Sequence, residues 1–322
     1  MRWRRARLAA ALVAAALFAT VAVLLWRDPY RVVLADYNRQ RILAGLSRDS
    51  LKLDDHRWVY AYNDEAPAGA PVLVMVHGFT GSKENWYPLA QRLRGRYRLL
   101  IPDLPGWGES QRRDGGDYGF VAQSARLARF IEQVARPRGG EVVLLGHSMG
   151  GGIAALTAAR HPRAVDRLGL FDAAGVRFRD NRFGVQVLAG HNPFAVADGA
   201  GLQRYLDTVF YDAAAKPTIP WPADEIYIAR RKRDAAFEQT VLNRIGRGPE
   251  RFLPGEEAAR IRQPTLLLWC RQDAVIDASA MALYAARMPQ ARQVLLDGCG
   301  HMSPVERPDA VAQAIAQLAG PP

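Results

Sequence analysis

Metal-binding chemistry has little to work with in this 322-residue chain: two cysteines and six histidines, spaced in no ligand pattern. No interval repeats along the sequence, and no stretch interleaves aromatic with basic side chains, so repeat architectures and nucleic-acid modules fall away. Acidic residues are in deficit, 32 Asp and Glu against 43 Lys and Arg, for a formal charge of +11. The excess persists when Arg2, Arg4, Arg5 and Arg7 are set aside, which suits a partner such as an anionic lipid surface. Arg230-Arg231-Lys232-Arg233 is the densest basic cluster, although such a run is ordinarily a solvated helix face. Long apolar runs are also missing, with one exception at 8–26. That run has the length of a bilayer-crossing helix, and the arginines before it assign the N-terminus to the cytoplasmic side. It ends in Leu24-Leu25-Trp26 rather than in small residues, so the reading favours an uncleaved anchor over a signal peptide. Ala11, Ala15 and Ala19 recur at helical spacing and offer a dimer face, against the plainer reading of an alanine-rich helix.

Beyond the anchor, apolar runs of strand length alternate with helical patterns. Strands are predicted at 72–76, 98–101, 142–145, 168–171, 264–269 and 293–296. Helices are predicted at 85–93, 120–135, 149–160, 279–288 and 309–318. This alternation predicts an α/β fold with a mostly parallel sheet covered on both faces. Segments 51–53 and 58–62 add an antiparallel edge hairpin. The alternation stops between 175 and 262, where helices at 201–210 and 223–243 are predicted. The expected organisation is therefore a basic stub and transmembrane anchor at 1–27, a juxtamembrane linker helix at 28–50, a core at 51–174 and 263–322, and a helical cap at 175–262. Phe194, Phe210, Tyr211, Trp221, Ile226 and Phe237 are expected to line a pocket or pack the cap.

Gly146-His147-Ser148-Met149-Gly150 follows the apolar run 142–145 and precedes an alanine-rich helix. Small residues around the serine permit a sharp turn that exposes its hydroxyl above the sheet, at the start of a helix. A serine hydroxyl needs a base to become nucleophilic, and the base needs an orienting acid. Among the six histidines, His301 alone sits in a glycine-bearing turn after a late strand, within Asp297-Gly298-Cys299-Gly300-His301. Two aspartates follow strands and precede it, Asp273 and Asp172, and either meets the requirement for an orienting acid.

Taken with His77-Gly78-Phe79-Thr80-Gly81, the Asp103-to-Ser110 turn and the segment 264–273, these motifs resemble the α/β-hydrolase superfamily over about 51–318. Within it the chain looks most like membrane-anchored bacterial lipases and monoacylglycerol or lysophospholipid hydrolases. The resemblance implies an α/β-hydrolase fold, Ser148 as nucleophile, His301 as base and Asp273 rather than Asp172 as acid. It also implies an oxyanion hole built from the amides of Phe79 and Met149, and an architectural role for Asp103. One departure is Cys270, where relatives usually carry glycine. The resemblance brings the strand ends near Cys270 and Cys299 together, so a disulfide and two free thiols both remain open.

The implied activity is hydrolysis of lipid-like carboxylic esters without a cofactor, outside the inner membrane. A carbon–carbon bond hydrolase, an acyltransferase and a non-catalytic receptor remain alternatives on the same fold.

Overall fold

The structure is a computed structural model and describes residues 2–320. Helix α1 (Arg2–Arg27) carries the apolar stretch Ala6–Arg27, which is long and apolar enough to cross a membrane and is not buried within the protein. Helix α2 (Arg31–Leu43) follows, and then the sheet begins with β1 (Ser47–Leu53) and β2 (His56–Asn63). The linker helix is thus shorter than expected, and the edge hairpin starts earlier. Ser47 to Ser50 are polar and exposed, so no apolar alternation betrays them; only pairing with β2, from Ser47 opposite Tyr62 to Leu53 opposite His56, makes them a strand.

The rest of the core alternates as the pattern requires. In chain order it comprises β3 (Val72–Val76), α3 (Tyr87–Leu93), β4 (Arg98–Pro102), α4 (Phe120–Phe130), β5 (Val142–His147), α5 (Met149–Arg160) and β6 (Arg167–Phe171). Four helices are then inserted: α6 (Arg182–Leu188), α7 (Gly199–Val209), α8 (Ala223–Gly246) and the single turn α9 (Leu253–Glu256). The core resumes with β7 (Thr265–Cys270), α10 (Ser279–Ala285), β8 (Arg292–Leu296), α11 (Ser303–Glu306) and α12 (Pro308–Ala319). Helix α10 ends sooner than its pattern suggests, where the chain closes in tight turns that bury Met288.

The eight strands lie in the order β1-β2-β4-β3-β5-β6-β7-β8, with β2 antiparallel to both neighbours and the remaining pairings parallel. Strands β3, β5 and β7 are buried along their whole length. Both faces of the sheet are therefore covered, and apolar residues fill each pleat without alternation. One core cluster includes Leu127, Phe130 and Ile153 of α4 and α5; the other includes Leu89, Leu93 and Ile315 of α3 and α12. Ser148, Asp172 and Asp273 all follow the C-terminal ends of parallel strands, the edge at which such sheets present chemistry.

Helix α2 packs on α8, where the Arg230 guanidinium lies 4.1 Å from the centre of the Tyr30 ring. Arg231 is buried and paired with Glu238 at 2.8 Å. The basic cluster at 230–233 is therefore not one solvated face, because Arg230 packs on a neighbouring helix and Arg231 lies inside the protein. Asp103 holds the turn it opens, accepting from the Lys83 amide at 2.7 Å, the Lys83 ammonium at 2.8 Å and the Glu109 amide at 2.9 Å. Gly108 (φ 55°) closes that turn because a Cβ there would lie 2.3 Å from the Asp103 carboxyl carbon.

Candidate active site

Ser148 stands between β5 and α5 at φ 55°, ψ −121°. Such a backbone geometry costs a non-glycine residue about 1–3 kcal/mol, so its surroundings must enforce it. The Ser148 amide donates to the Phe171 carbonyl at 2.9 Å, and the Ser148 carbonyl accepts from Gly151, Gly152 and Ala174. The flanking glycines are required by contact. A Cβ on Gly146 would lie 2.3 Å from the Gly150 carbonyl oxygen, and one on Gly150 would lie 2.4 Å from that of His77. The turn is this tight because strand and helix meet through backbone.

His301 reaches the turn from beyond β8. Its Nε2 lies 2.9 Å from Ser148 Oγ, and its Nδ1 lies 2.8 Å from Asp273 Oδ2. All three side chains are buried. Burial lowers the imidazole well below its ordinary value, against the pull of the Glu306 carboxylate, so at rest it is neutral. With its proton on Nδ1 toward Asp273, the imidazole turns the Nε2 lone pair to the hydroxyl. Burial pushes the Asp273 carboxyl up, while the amides of Val275 and Ile276, at 2.7 and 3.0 Å from Oδ1, oppose that. Asp172 is engaged elsewhere: it accepts from the Cys270 amide at 2.9 Å and from the Ser303 hydroxyl. Cys270 and Cys299 form a disulfide, which ties the turn carrying Asp273 to the turn carrying His301.

Three supporting groups escape sequence reasoning. Glu306 is buried and accepts from four amides. Those of Gly300, at 2.9 Å, and Met302, at 3.2 Å, flank His301; those of Tyr211, at 2.9 Å, and Asp212, at 2.8 Å, follow α7. His147 Nε2 donates to the His301 carbonyl at 2.6 Å. His77 Nδ1 donates to the Gly78 carbonyl at 2.8 Å, and its Nε2 accepts from the Leu104 amide at 3.0 Å. Burial lowers His77 to about 4 and His147 to about 3, so both act as neutral struts. The sequence signal for these two was their place inside the glycine-bearing motifs; Glu306 had none.

The amides of Phe79 and Met149 belong to residues that line the space at Ser148, and among the described residues they donate to no other backbone group. On one side of Ser148 lies an apolar pocket open to solvent. Phe183 and Val187 of α6, Leu242 and Ile245 of α8, and Val275 and Ile276 after β7 form much of its wall. Phe194 lines it too and stacks on Phe79 with ring centres 5.8 Å apart. The other expected pocket residues divide. Phe210 and Phe237 pack against the core, Ile226 is half-buried, and Tyr211 and Trp221 are exposed. Aromatic character alone did not separate pocket from surface, because the pocket wall mixes aliphatic side chains with phenylalanines such as Phe178 and Phe252 and is assembled from separate helices.

Comparison with known proteins agrees with this architecture. The family model described as the Alpha/beta hydrolase family matches residues 73–314. Lipase 1 of Psychrobacter immobilis is 30% identical over 261 residues, covering 80% of this chain and 78% of the relative. Monoacylglycerol lipase ABHD6 of Rattus norvegicus is 26% identical over 301 residues, covering 92% of this chain and 88% of the relative. Among solved structures, a membrane phospholipase A described as a bacterial virulence factor superposes with a TM-score of 0.83 at 32% identity, covering 95% of this chain and 96% of that one.

Proposed function

Because the chain belongs to the alpha/beta hydrolase family, we propose that the Ser148, His301 and Asp273 constellation makes it a serine hydrolase of lipid carboxylic esters. The observation that carries the reading is the unbroken relay of 2.9 and 2.8 Å contacts from hydroxyl to imidazole to carboxylate beside an apolar pocket. The lipase, monoacylglycerol lipase and phospholipase relatives favour ester hydrolysis over carbon–carbon bond cleavage.

In the proposed reaction, Ser148 Oγ attacks the ester carbonyl while His301 Nε2 takes its proton. The Phe79 and Met149 amides receive the oxyanion, each supplying up to a few kcal/mol of transition-state stabilisation in a dry site. The imidazolium, held by Asp273, returns the proton to the departing alcohol. Water then adds to the acyl-enzyme by the same route and releases the acid. The apolar pocket takes the acyl chain, and the segment 175–262 acts as a cap that shapes this pocket and excludes water. The core then comprises 51–174 and 263–322.

Helix α1 is proposed as a single-pass anchor in the inner membrane, with the arginines cytoplasmic and the hydrolase on the periplasmic side. An extracytoplasmic setting fits a Cys270–Cys299 disulfide. The Ala11, Ala15 and Ala19 face of α1 is the proposed seam for self-association. Substrates presented from a membrane suit this arrangement, including monoacylglycerols and lysophospholipids. Hydrolysis of p-nitrophenyl esters by the full chain, with stoichiometric labelling of Ser148 by a fluorophosphonate, tests the chemistry. A folded protein that neither labels nor turns over would sink it.

A further inference from the structure

The corner that follows β6 reaches all three turns of the proposed triad. At its start the Phe171 carbonyl accepts from the Ser148 amide at 2.9 Å, and at its end the Ala174 amide donates to the Ser148 carbonyl at 3.0 Å. Between them, the Asp172 carboxyl reaches the other two turns. Its Oδ1 accepts from the amide of Cys270, three residues before Asp273, at 2.9 Å, and its Oδ2 meets the hydroxyl of Ser303, two residues after His301. The nucleophile is thus held by the backbone of this corner, and the acid and base turns by its side chain. The Cys270–Cys299 disulfide joins those two turns to each other; Asp172 joins both to the corner that holds Ser148.

Asp172 is fully buried, and its φ of 46° lies in the left-handed region that glycine occupies more readily. The backbone of the corner therefore does not call for an aspartate; the contacts of its side chain do. Those contacts call for hydrogen bonds rather than for charge. Among the described residues no cation pairs with Asp172, and burial together with the nearby Asp273 carboxylate pushes it well above the ordinary carboxylate range. Asp273 has three N–H partners, from Val275, Ile276 and His301, against the single amide on Asp172, so the negative charge of the two belongs to Asp273. The hydroxyl of Ser303 serves as donor or acceptor, and a neutral group at 172 satisfies it equally.

We propose that Asp172 is a positioning residue, holding the acid and base turns in register with Ser148 through two hydrogen bonds that an uncharged side chain of the same shape can also make. The inference rests on the serine-hydrolase reading above and goes beyond it by assigning a role to the second aspartate. Without this tie the turns are free to shift against the nucleophile, and a misplacement of reacting groups by about 1 Å costs about 10²-fold in rate.

The test measures kcat and KM of the full chain in detergent on a p-nitrophenyl ester, per active site counted by the end point of fluorophosphonate labelling, with urea midpoints alongside. Asp172→Ala removes both hydrogen bonds and should lower kcat by about 10²-fold while KM changes by less than about twofold. Asp172→Asn keeps an acceptor for the Cys270 amide and offers a donor to the Ser303 hydroxyl, so it should recover about tenfold or more of that loss. Ser303→Ala cuts one of the two bonds and should lower kcat by about fivefold, and adding it to Asp172→Ala should lower kcat little further. Recovery by asparagine separates positioning from a charged role. The fall in kcat per active site separates it from bracing of the fold, which moves the urea midpoint alone. Asp172→Asn as slow as Asp172→Ala, or an unchanged kcat in both Asp172→Ala and Ser303→Ala, would overturn the proposal. Should Asp172→Ala fail to fold, a Ser303→Ala variant slower than Asp172→Asn supports it, and any other order overturns it. Wild-type protein that neither labels nor turns over would overturn the parent reading instead.

Discussion

The sheet edge that carries Ser148, Asp273 and His301 and the helical insertion that faces it are built on opposite terms. At the sheet edge the chain meets itself through backbone: Gly146 and Gly150 leave no space for a Cβ, and a disulfide joins the two turns beyond β7 and β8. In the insertion, contacts run through side chains of separate helices, and large apolar groups such as Trp221 and Leu188 stay exposed. The sheet edge has few other arrangements open to it, whereas the insertion is held by side chains that single substitutions can alter. The proposed function would thereby separate chemistry from substrate choice, with Glu306 holding amides of both regions.

Substitutions can test how far that separation holds. The largest effect is expected from Ser148→Ala, with at least a ~10³-fold loss of kcat on a p-nitrophenyl ester and an unchanged circular dichroism spectrum. Retained turnover would break the assignment of chemistry to the sheet edge. Gly150→Ala forces a Cβ against the His77 carbonyl and should cost about 3 kcal/mol, read as a lowered urea midpoint. A midpoint as high as wild type would show that the edge yields more readily than its contacts imply.

Glu306→Gln probes the join between the regions. It keeps the side chain's size but turns an amide group toward backbone donors, so kcat should fall by about tenfold. Glu306 also raises the affinity of His301 for a proton, so its neutralisation should move the acid limb of kcat/KM to lower pH. In the proposed mechanism the neutral imidazole is the working form, and because burial depresses its pKa that limb should already lie below about 6.5. A limb that stays put in Glu306→Gln would reduce Glu306 to a purely structural brace.

Smaller effects are expected in the insertion and from titration of the struts. Leu242→Ala opens the wall of the apolar pocket and should shift preference toward longer acyl chains by a few-fold in relative kcat/KM. No shift would separate that pocket from the acyl group. His77 and His147 are held neutral, with folded values of about 4 and about 3, below the ordinary 6.5. The unfolded chain therefore binds more protons between those values. Their contribution to stability is complete above pH 6.5 and is lost progressively as pH falls toward 4 and 3. Melting temperatures measured from about pH 7 to about pH 4 should decline, and less steeply in a folded His77→Gln variant.

Much of the sheet and the order of its chemical groups were legible in advance. Continuous apolar runs such as 142–145 and 266–269 report burial on both faces, and the glycines around Ser148 report a tight turn. These are local signals, carried by neighbours in sequence. The first half of β1 was not legible, because exposed polar residues become a strand only through a partner. Neither were Glu306 and the aliphatic part of the pocket wall, since a buried carboxylate and a leucine facing a cavity look like any other glutamate and leucine.

Residue order and local periodicity alone determined the α/β class, the long apolar N-terminal helix and the short roster of reactive groups. Tertiary structure decided which aspartate faces His301, because Asp273 and Asp172 both follow strands and only the course of their turns separates them. It also decided that Cys270 and Cys299 are joined, that Arg230 and Arg231 turn inward, and which side chains bound the apolar pocket. The physical reason is one of range. Backbone preference and burial period act over a few residues, whereas a hydrogen bond across 28 positions exists only once the sheet has brought its ends together.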